Sequence, residues 1–252
     1  MKCRGGEGQG GASIAARSPE GRSTMASRIA IVGAEGRMGT RIAALAATDA
    51  SVVIARRYGR NGPLDGSCDD APVDVVVDFS SEAGARQALE LALAEKAALL
   101  TGTTGLPPAF LAELERASRS IAVLVAPNTS LGVAVTRRLA RLAAELLGPS
   151  GWAVDIVESH HDRKKDAPSG TALALADALE LGGMPVDSSR IHAIRAGDTV
   201  GEHEIRLAGP SERIHLMHQA VTRDLFAAGA LRAARWLGGR PAGRYSMDDV
   251  LS

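Results

Sequence analysis

Short apolar runs alternate with helical segments through the first half of the chain, and this alternation limits the possible folds more than any other feature. Each run is nearly all apolar, as in strands that are buried on both faces of a sheet. Helices are predicted between most runs, including Glu82–Lys96, with Ser80 or Ser81 as its N-cap, and Pro108–Ser118. A parallel sheet with right-handed crossovers is therefore predicted. The runs lie at 28–32, 51–55, 73–79, 97–102 and 121–126.

The pattern changes after about residue 128, which indicates a second domain. A long helix is predicted over Leu131–Leu147. The segments at 152–160, 191–197, 202–209 and 213–219 alternate apolar and polar residues, and a last helix is predicted over Thr222–Trp236. Such alternation is typical of an open, mixed sheet with one face exposed.

Composition excludes several classes of function. The 252 residues, 45% of them hydrophobic, suffice for one large domain or two modest ones. The 29 basic and 29 acidic residues balance, so no overall field favours nucleic acid or an acidic membrane. Aromatic residues make up 3% of the chain, which argues against a base-stacking surface. No apolar run approaches the ~18 residues that a membrane-spanning helix needs.

The first 24 residues are rich in Gly, Arg and Ser and lack the apolar segment of a secretory signal. We expect residues 1–25 to form a disordered tail or to precede a start at Met25, with a transit peptide as a weaker alternative. Cys3 and Cys68 have no metal-ligand spacing, and we expect neither a metal site nor a structural disulfide. This cysteine usage fits a reducing compartment, so we expect a cytoplasmic protein.

A glycine loop joins the first strand to the first helix. Its sequence VGAEGRMG contains Gly33, Gly36 and Gly39. Glycines let a backbone turn sharply and approach a pyrophosphate, and a helix N-terminus offers free N–H groups to that anion. The spacing differs from the commoner G-x-G-x-x-G, so a tight turn without a ligand is the alternative. The surrounding strand–helix–strand pattern favours a dinucleotide site.

Two arginines, Arg56 and Arg57, follow the second apolar run. An acidic residue at the end of that strand would bind the ribose 2′-hydroxyl of NAD, whereas guanidinium groups suit a 2′-phosphate. The sequence therefore predicts NADPH as the preferred cofactor and NADH as a second one, with a solvated basic pair as the alternative. The later strand ends Thr101–Gly105 and Ala126–Ser130 bring small and hydroxyl residues to the same sheet edge.

The segment ESHHDRKKDAPSGTA, residues 158–172, combines paired histidines and lysines with a predicted helix start. Ser169 is a plausible cap, and the N–H groups of Gly170 and Thr171 would bind a carboxylate or phosphate. Lys164 can reach the same anion, and a histidine can give up a proton near neutral pH. Because a hydride acceptor must also gain a proton, this set suits reduction of a small, carboxylated, nitrogen-containing substrate. A solvated polar loop is the alternative.

This segment resembles the signature of the dihydrodipicolinate reductase family, also called 4-hydroxy-tetrahydrodipicolinate reductase, of lysine and diaminopimelate biosynthesis. VGAEGRMG, VVDFS, TGTTGL, APNTSLGV, RAGDTVGEHEI and DLFAAGALRAARWL resemble its other motifs, in the same order, from Arg28 to Ser252. The resemblance implies hydride transfer from NAD(P)H to C4 of a cyclic imine, with the 4-hydroxyl lost as water. It also implies a homotetramer.

The resemblance further implies an α/β fold with a Rossmann-like dinucleotide-binding domain and an α+β domain for substrate binding and tetramerisation. The first domain is expected to contain residues 26–128 and 219–252, and the second residues 129–218. Three departures from the family pattern stand out. Arg56 occupies a position that is often acidic, Glu35 replaces a small residue, and Gln219 stands where an Arg is expected.

Roles for individual residues follow from the motif match. His160 corresponds to the general acid/base, Lys164 to a second proton-donating or carboxylate-binding group, and His161 to a substrate contact. Gly170 and Thr171 correspond to the carboxylate cradle, and Lys165 is interpreted as solvated. No metal ligand is predicted. The implied cofactor contacts, besides Arg56 and Arg57, are Gly33, Ala34, Glu35, Gly36, Arg37, Met38, Gly102, Thr103, Thr104, Ala126, Pro127, Asn128 and Thr129.

Two other interpretations remain open at this level. Another NAD(P)-dependent reductase of a small imino or keto acid would share the glycine loop without needing the HH-x-x-K-x-DAPSGT run. A non-catalytic dinucleotide-sensing protein would keep Gly33–Gly39 and need neither His160 nor Lys164.

Overall fold

The computed structural model describes residues 26–64, 71–148 and 151–252. The predicted tail and Cys68 lie outside these residues. The strands are β1 (Ser27–Val32), β2 (Val52–Gly59), β3 (Gly62–Pro63), β4 (Val75–Asp78), β5 (Ala98–Thr101), β6 (Ala122–Val125), β7 (Ala153–His160), β8 (Ile191–Arg195), β9 (Gly201–Ala208), β10 (Arg213–Ala220) and β11 (Gly243–Tyr245). The helices are α1 (Arg37–Ala46), α2 (Glu82–Glu95), α3 (Pro108–Ala117), α4 (Leu131–Leu147), α5 (Gly170–Leu181), α6 (Asp224–Leu237) and α7 (Met247–Val250).

The first sheet has the strand order β11-β6-β5-β4-β1-β2-β3. Its strands pair in parallel from β11 to β2, and β3 adds one antiparallel pairing at the edge. The parallel sheet predicted from the sequence is thus confirmed. Because β1 lies between β2 and β4, the winding direction of the chain reverses beside it. In open α/β sheets this switch point is where a crevice forms outside the carboxyl ends of the strands.

Both faces of the first sheet are covered by helices, which explains why its strands read as continuous apolar runs. Ile29 and Ile31 pack into the core that includes α1 and α6, whereas Ala30 and Val32 pack into the core that includes α2 and α3. Burying an isoleucine side chain is worth about 1.5–3 kcal/mol. Ser81, one of the two predicted caps, accepts a hydrogen bond from the Gly84 N–H at the start of α2.

The second strand is longer than the sequence indicated. It was predicted to end at Ala55, but β2 continues to Gly59 and turns back into β3. Arg56 and Arg57 ended the apolar signal, yet β2 lies near the edge of the sheet, where charged side chains can reach solvent. The predicted strand end at Ala55 is therefore wrong.

The second sheet has the order β10-β9-β7-β8 and mixes parallel and antiparallel pairs, which confirms the predicted mixed sheet. One face packs on α4 and α5 through a core that contains Ala140, Ala144 and Leu175. The other face carries ion pairs such as Asp155 with Arg190. This division explains the alternating pattern of these strands.

Helix α4 connects the two sheets, and α6 and β11 return the chain to the first sheet. Along α4, Ala134 belongs to the core of the first sheet, whereas Ala140 and Ala144 belong to the core of the second. Helix α6 packs on α1, β4 and β5, and β11 joins the first sheet beside β6. The domain limits at 128/129 and 218/219 stay predictions. None of the helices in the described residues is both long and apolar enough to span a membrane.

We predict that Gly229→Ala destabilises the protein. A Cβ on Gly229 in α6 would overlap the carbonyl oxygen of Thr129, and backbone lies on both sides of this contact. Overpacking of this kind costs about 1–3 kcal/mol. Urea unfolding should show the loss, with Gly170→Ala as the control, because no described atom lies within 4 Å of a Cβ there. Equal unfolding free energies for the two variants would contradict this account of α6 packing.

Candidate active site

The glycine loop after β1 presents an open helix end. Gly33 has a φ of 81°, in the left-handed region that glycine tolerates best. The N–H groups of Gly33 and Ala34 both bond to the carbonyl of Tyr58 at 3.0 Å, which fixes the loop against the end of β2. In α1 the N-cap, Gly36, gives no side-chain cap, and the first turn has no acidic residue. Its N–H groups therefore suit the pyrophosphate of a dinucleotide.

Asp78 joins the ends of two neighbouring strands. This carboxylate, which the sequence analysis did not single out, is fully buried at the end of β4. It accepts hydrogen bonds from the hydroxyls of Thr101 at 2.7 Å, Thr103 at 2.8 Å and Ser80. Burial raises the pKa of Asp78, and these hydrogen bonds oppose the rise only in part. The signal for Asp78 in the sequence was an acidic residue near the end of an apolar run.

Phe79 lies between the glycine loop after β1 and the loop after β5. A Cβ on Gly33 would overlap the Phe79 carbonyl oxygen, and a Cβ on Gly102 would overlap the Phe79 ring. Position 33 therefore requires glycine, because its neighbour is backbone and its φ is positive, whereas a side chain at position 102 would displace the Phe79 ring. Thr103 is buried beneath this edge, whereas Thr104 is exposed on it.

The loop after β6 contacts the start of α5 directly. The Asn128 side chain donates a hydrogen bond to the Thr171 hydroxyl at 3.0 Å, so a predicted cofactor residue touches a predicted substrate residue. The Thr129 hydroxyl bonds to the carbonyl of Phe226, which anchors the loop on α6. Ala126 is buried and its N–H bonds to the Thr101 carbonyl, whereas Pro127 is exposed.

His160 ends β7 and is buried, with 8% of its surface exposed. Its Nδ1 lies 2.5 Å from a carboxylate oxygen of Glu158, a residue with no exposed surface. Burial raises the pKa of Glu158, but hydrogen bonds from Arg195, His160 and the Ser169 N–H outweigh it and hold the pKa below its usual range. Burial also lowers the pKa of His160, and Glu158 partly offsets this.

The loop after His160 carries Lys164, whose ammonium pairs with Asp166 at 2.8 Å. Arg195 donates hydrogen bonds to the carbonyls of Lys164 at 3.3 Å and Asp166 at 2.5 Å. His161 is half-buried, and its Nδ1 has no hydrogen-bond partner among the described residues. Lys165 is exposed.

The carboxylate cradle was predicted at the start of α5. Ser169 caps the helix, its hydroxyl accepting a hydrogen bond from the Ala172 N–H at 3.2 Å, as predicted. Next to Gly170, the position of an added Cβ has no described atom within 4 Å. Free N–H groups beside open space at a helix N-terminus suit a carboxylate.

Two family models cover nearly all of the described chain. "Dihydrodipicolinate reductase, N-terminus" matches residues 27–129, and "Dihydrodipicolinate reductase, C-terminus" matches residues 132–251. The chain belongs to the dihydrodipicolinate reductase family. Members of this family are pyridine-nucleotide-dependent reductases of lysine and diaminopimelate biosynthesis. This membership removes the two competing interpretations, another imino or keto acid reductase and a non-catalytic sensor.

Relatives and a solved structure agree with the family. The 4-hydroxy-tetrahydrodipicolinate reductase of Stenotrophomonas maltophilia (strain R551-3) is 43% identical, over 89% of this chain and 97% of its own length. That of Myxococcus xanthus (strain DK1622) is 38% identical, with the same shares covered. The dipicolinate-bound dihydrodipicolinate reductase from Paenisporosarcina sp. TG-14 superposes with a TM-score of 0.71, at 22% identity, over 88% of this chain and 98% of that one. The last comparison supports the fold.

The departures from the family pattern differ in their surroundings. The Arg56 guanidinium pairs with Glu95 of α2 at 2.8 Å and bonds to the Ala71 carbonyl, whereas Arg57 is exposed. A carboxylate oxygen of Glu35 lies against Gly59, the last residue of β2. The Gln219 side chain bonds across the strands to Glu202.

Two further histidines of this family member were missed, because each resembles an ordinary polar residue of an alternating strand. The Nε2 of His203 lies 3.1 Å from the Ser169 hydroxyl, and its ring meets that of His160 edge-on at 5.1 Å. The Nε2 of His218 lies 3.3 Å from the Ser130 hydroxyl. Burial, reinforced by the charges of His160 and His218, lowers the pKa of His203 to about 4. His203 is therefore neutral at pH 7 and supports the cap of α5.

We predict that His203 makes stability fall in acid. Because its pKa is lower in the folded protein than in the unfolded chain, its contribution is complete above pH 6.5 and is lost as pH falls through about 4. The shift corresponds to about 3 kcal/mol. Urea unfolding between these pH values should show a shallower pH dependence for His203→Gln than for wild type. His192→Gln, at an exposed histidine, is the control. Parallel curves for wild type, His203→Gln and His192→Gln would refute the role assigned to His203.

Proposed function

We propose that the protein is a 4-hydroxy-tetrahydrodipicolinate reductase, which converts 4-hydroxy-tetrahydrodipicolinate to tetrahydrodipicolinate and water. The names of its relatives support this activity. The observation that carries the proposal is the hydrogen bond from Asn128 to Thr171. This bond joins the dinucleotide edge of the first sheet to the start of α5, next to which the buried His160 lies.

The loops after β1, β5 and β6 suit a pyridine nucleotide. The open start of α1 offers N–H groups to a pyrophosphate, and the glycines at 33 and 102 permit close approach. When bound, the reduced nucleotide supplies the hydride. The residues proposed to hold it are Gly33 to Met38, Arg57, Gly102 to Thr104, and Ala126 to Thr129.

The substrate's carboxylates and its proton are handled by the second sheet's site. We assign one carboxylate to the N–H groups of Gly170 and Thr171, with His161 as a further contact. Lys164 would exchange Asp166 for the substrate. Solvent can replace Lys164 at the Asp166 carboxylate, because 59% of the Asp166 side chain is exposed, whereas only 21% of the Lys164 side chain is exposed.

His160 is the proposed general acid. The overall reaction adds one hydride and one proton and releases one water, so the site must deliver one proton. His160 is buried beside the cradle, and its Nδ1 is bonded to Glu158, which leaves Nε2 for proton transfer. General acid catalysis of this kind is worth about 10²–10⁴-fold in rate.

We predict that His160→Ala and Lys164→Ala each lower kcat by about 100-fold or more. The assay couples aspartate semialdehyde and pyruvate through the preceding synthase and follows NADPH oxidation. NADPH binding, measured by fluorescence titration, should survive in both variants, because neither residue lies in the nucleotide loops. Exposed Lys165→Ala is the control and should keep wild-type turnover. Near-native turnover in both test variants would make the acid/base assignment wrong.

We further propose that NADPH is the preferred cofactor and that NADH is also used. Exposed Arg57 in β2 and Arg60 just after it favour a 2′-phosphate, whereas the Glu35 carboxylate beside Gly59 opposes one. Arg56 was predicted as a contact too, but its ion pair with Glu95 argues for a structural role.

We expect kcat/KM to be higher with NADPH than with NADH in steady-state kinetics. Arg57→Ala should lower kcat/KM for NADPH about tenfold, as expected for ~1.4 kcal/mol, and should change the NADH value little. Glu35→Ala should raise kcat/KM for NADPH, because a negative charge is removed from the surroundings of the 2′-phosphate. Arg56→Ala is the matched comparison, because the neighbouring Arg56 guanidinium pairs with Glu95. A clear NADH preference in the wild type would end this part of the proposal.

We also propose that the protein is a homotetramer and lies in the cytoplasm. Besides the family, the tetramer is supported by the second sheet's outer face and edge, where Ile194, Met217 and Val221 expose apolar surface. Light scattering coupled to size-exclusion chromatography measures the mass directly.

A further inference from the structure

Glu158 and His160 project from the same side of β7. Residues two apart in a strand point to the same face, so the sequence E-S-H brings a carboxylate and an imidazole together. Both side chains are buried, Glu158 completely. A buried carboxylate is costly unless it is paired and fully hydrogen-bonded. The buried Glu158 carboxylate beside the proposed general acid must therefore be stabilised by the groups around it.

Four donors surround the Glu158 carboxylate. One oxygen accepts from His160 Nδ1 at 2.5 Å and from Arg195 at 3.0 Å. The other accepts from the second guanidinium nitrogen of Arg195 at 2.9 Å and from the Ser169 N–H at 3.0 Å. The paired contacts with Arg195 form a planar fork, the strongest geometry for a charged pair. With about four lone-pair directions on a carboxylate, every acceptor position is filled.

The donors come from three parts of the proposed site. His160 is the general acid, and Ser169 is the cap of the helix whose N–H groups form the cradle. Arg195 lies opposite His160 in the register of β7 and β8 and also bonds to the carbonyls of Lys164 and Asp166. One buried anion thus holds the acid, the cradle and the lysine loop.

We propose that Glu158 is the positioning residue of this site, fixing His160 in the Nδ1-protonated tautomer while it anchors the start of α5. An ionised carboxylate can only accept a hydrogen bond, so His160 Nδ1 must carry the proton. Its Nε2, beside Gly201, is then the nitrogen that gives and regains the catalytic proton. This inference rests on the proposed function for the meaning of its kinetic test, but its geometry does not.

The charges around His160 determine the expected pH dependence. Glu158 on β7 favours the protonated ring, whereas Lys164 in the loop and Arg195 on β8 disfavour it. His203 on β9 faces the ring and is neutral at pH 7. Without the Glu158 charge, burial and the two cations act unopposed, and the pKa of His160 falls further. Because a general acid must be protonated, activity should then be lost at lower pH.

Glu158→Gln keeps the side-chain shape and removes the charge. Since the amide can donate to Nδ1, the ring can adopt the wrong tautomer. We expect kcat to fall by about 100-fold or more, with the deficit growing as pH rises, while the KM for NADPH stays within about twofold. Glu158→Asp retains the charge and should recover part of kcat and of the wild-type pH profile.

Glu204→Gln is the matched control. Glu204 lies on β9 of the same sheet and also contacts a histidine and an arginine, His215 at 2.6 Å and Arg206 at 2.7 Å. The contacts described for Glu204 do not include the proposed site, so its replacement should leave kcat and the pH profile unchanged. If Glu158→Gln behaved like Glu204→Gln, the positioning role would be refuted.

A second measurement observes the wild-type protein and does not depend on turnover. Nitrogen NMR of ¹⁵N-histidine-labelled wild-type protein, with His160→Gln to assign the signal, reports which ring nitrogen carries the proton. We expect Nδ1–H at neutral pH, and Nε2–H would overturn the inference. If wild-type protein showed Nδ1–H but did not reduce the proposed substrate, the proposed function would fail while the positioning role of Glu158 stood.

Discussion

The ion pair between the buried Glu158 and the half-buried Arg195 is the interaction on which the geometry between β7 and α5 depends. Taking a carboxylate out of water costs several kcal/mol, and an arginine fork, an imidazole and a backbone N–H together offset that cost. Each of these donors is thereby fixed in place. The loop between β7 and α5 therefore has a defined shape although half-buried and exposed side chains cover most of it.

The first sheet also contains a buried carboxylate that joins neighbouring loops, but its hydrogen-bond donors are hydroxyl groups. Asp78 closes β4 and draws in hydroxyls from the ends of β4 and β5, which holds two loops of the crevice together. Among the described residues no arginine pairs with Asp78, and burial accordingly raises its pKa, whereas the pKa of Glu158 is lowered. Both carboxylates stand near the end of a central strand, where loops from neighbouring strands meet. The bond between Asn128 and Thr171 then joins the two loop sets.

Much of this arrangement was predictable because it depends on near neighbours in the chain. Buried parallel strands, the cap at Ser169 and the limits of α4 all follow from local pattern and were confirmed. The end of β2 was not predictable in this way, because Arg56 and Arg57 end the apolar run while backbone pairing with β1 and β3 continues. His203 and Glu158 were missed because a polar residue in an alternating strand looks the same whether it faces solvent or a buried site.

The sequence by itself determined the order of the strands and helices except the short β3, β11 and α7, together with the glycines of the loops and the composition of the segment from 158 to 172. Those features are set by interactions within a few residues, where spacing alone decides which groups share a face. The tertiary structure decided which distant groups meet: Glu158 with Arg195 across 37 positions, Asn128 with Thr171 across 43, and Arg56 with Glu95 across 39. Such pairings depend on strand order and register, which are outcomes of packing the whole core.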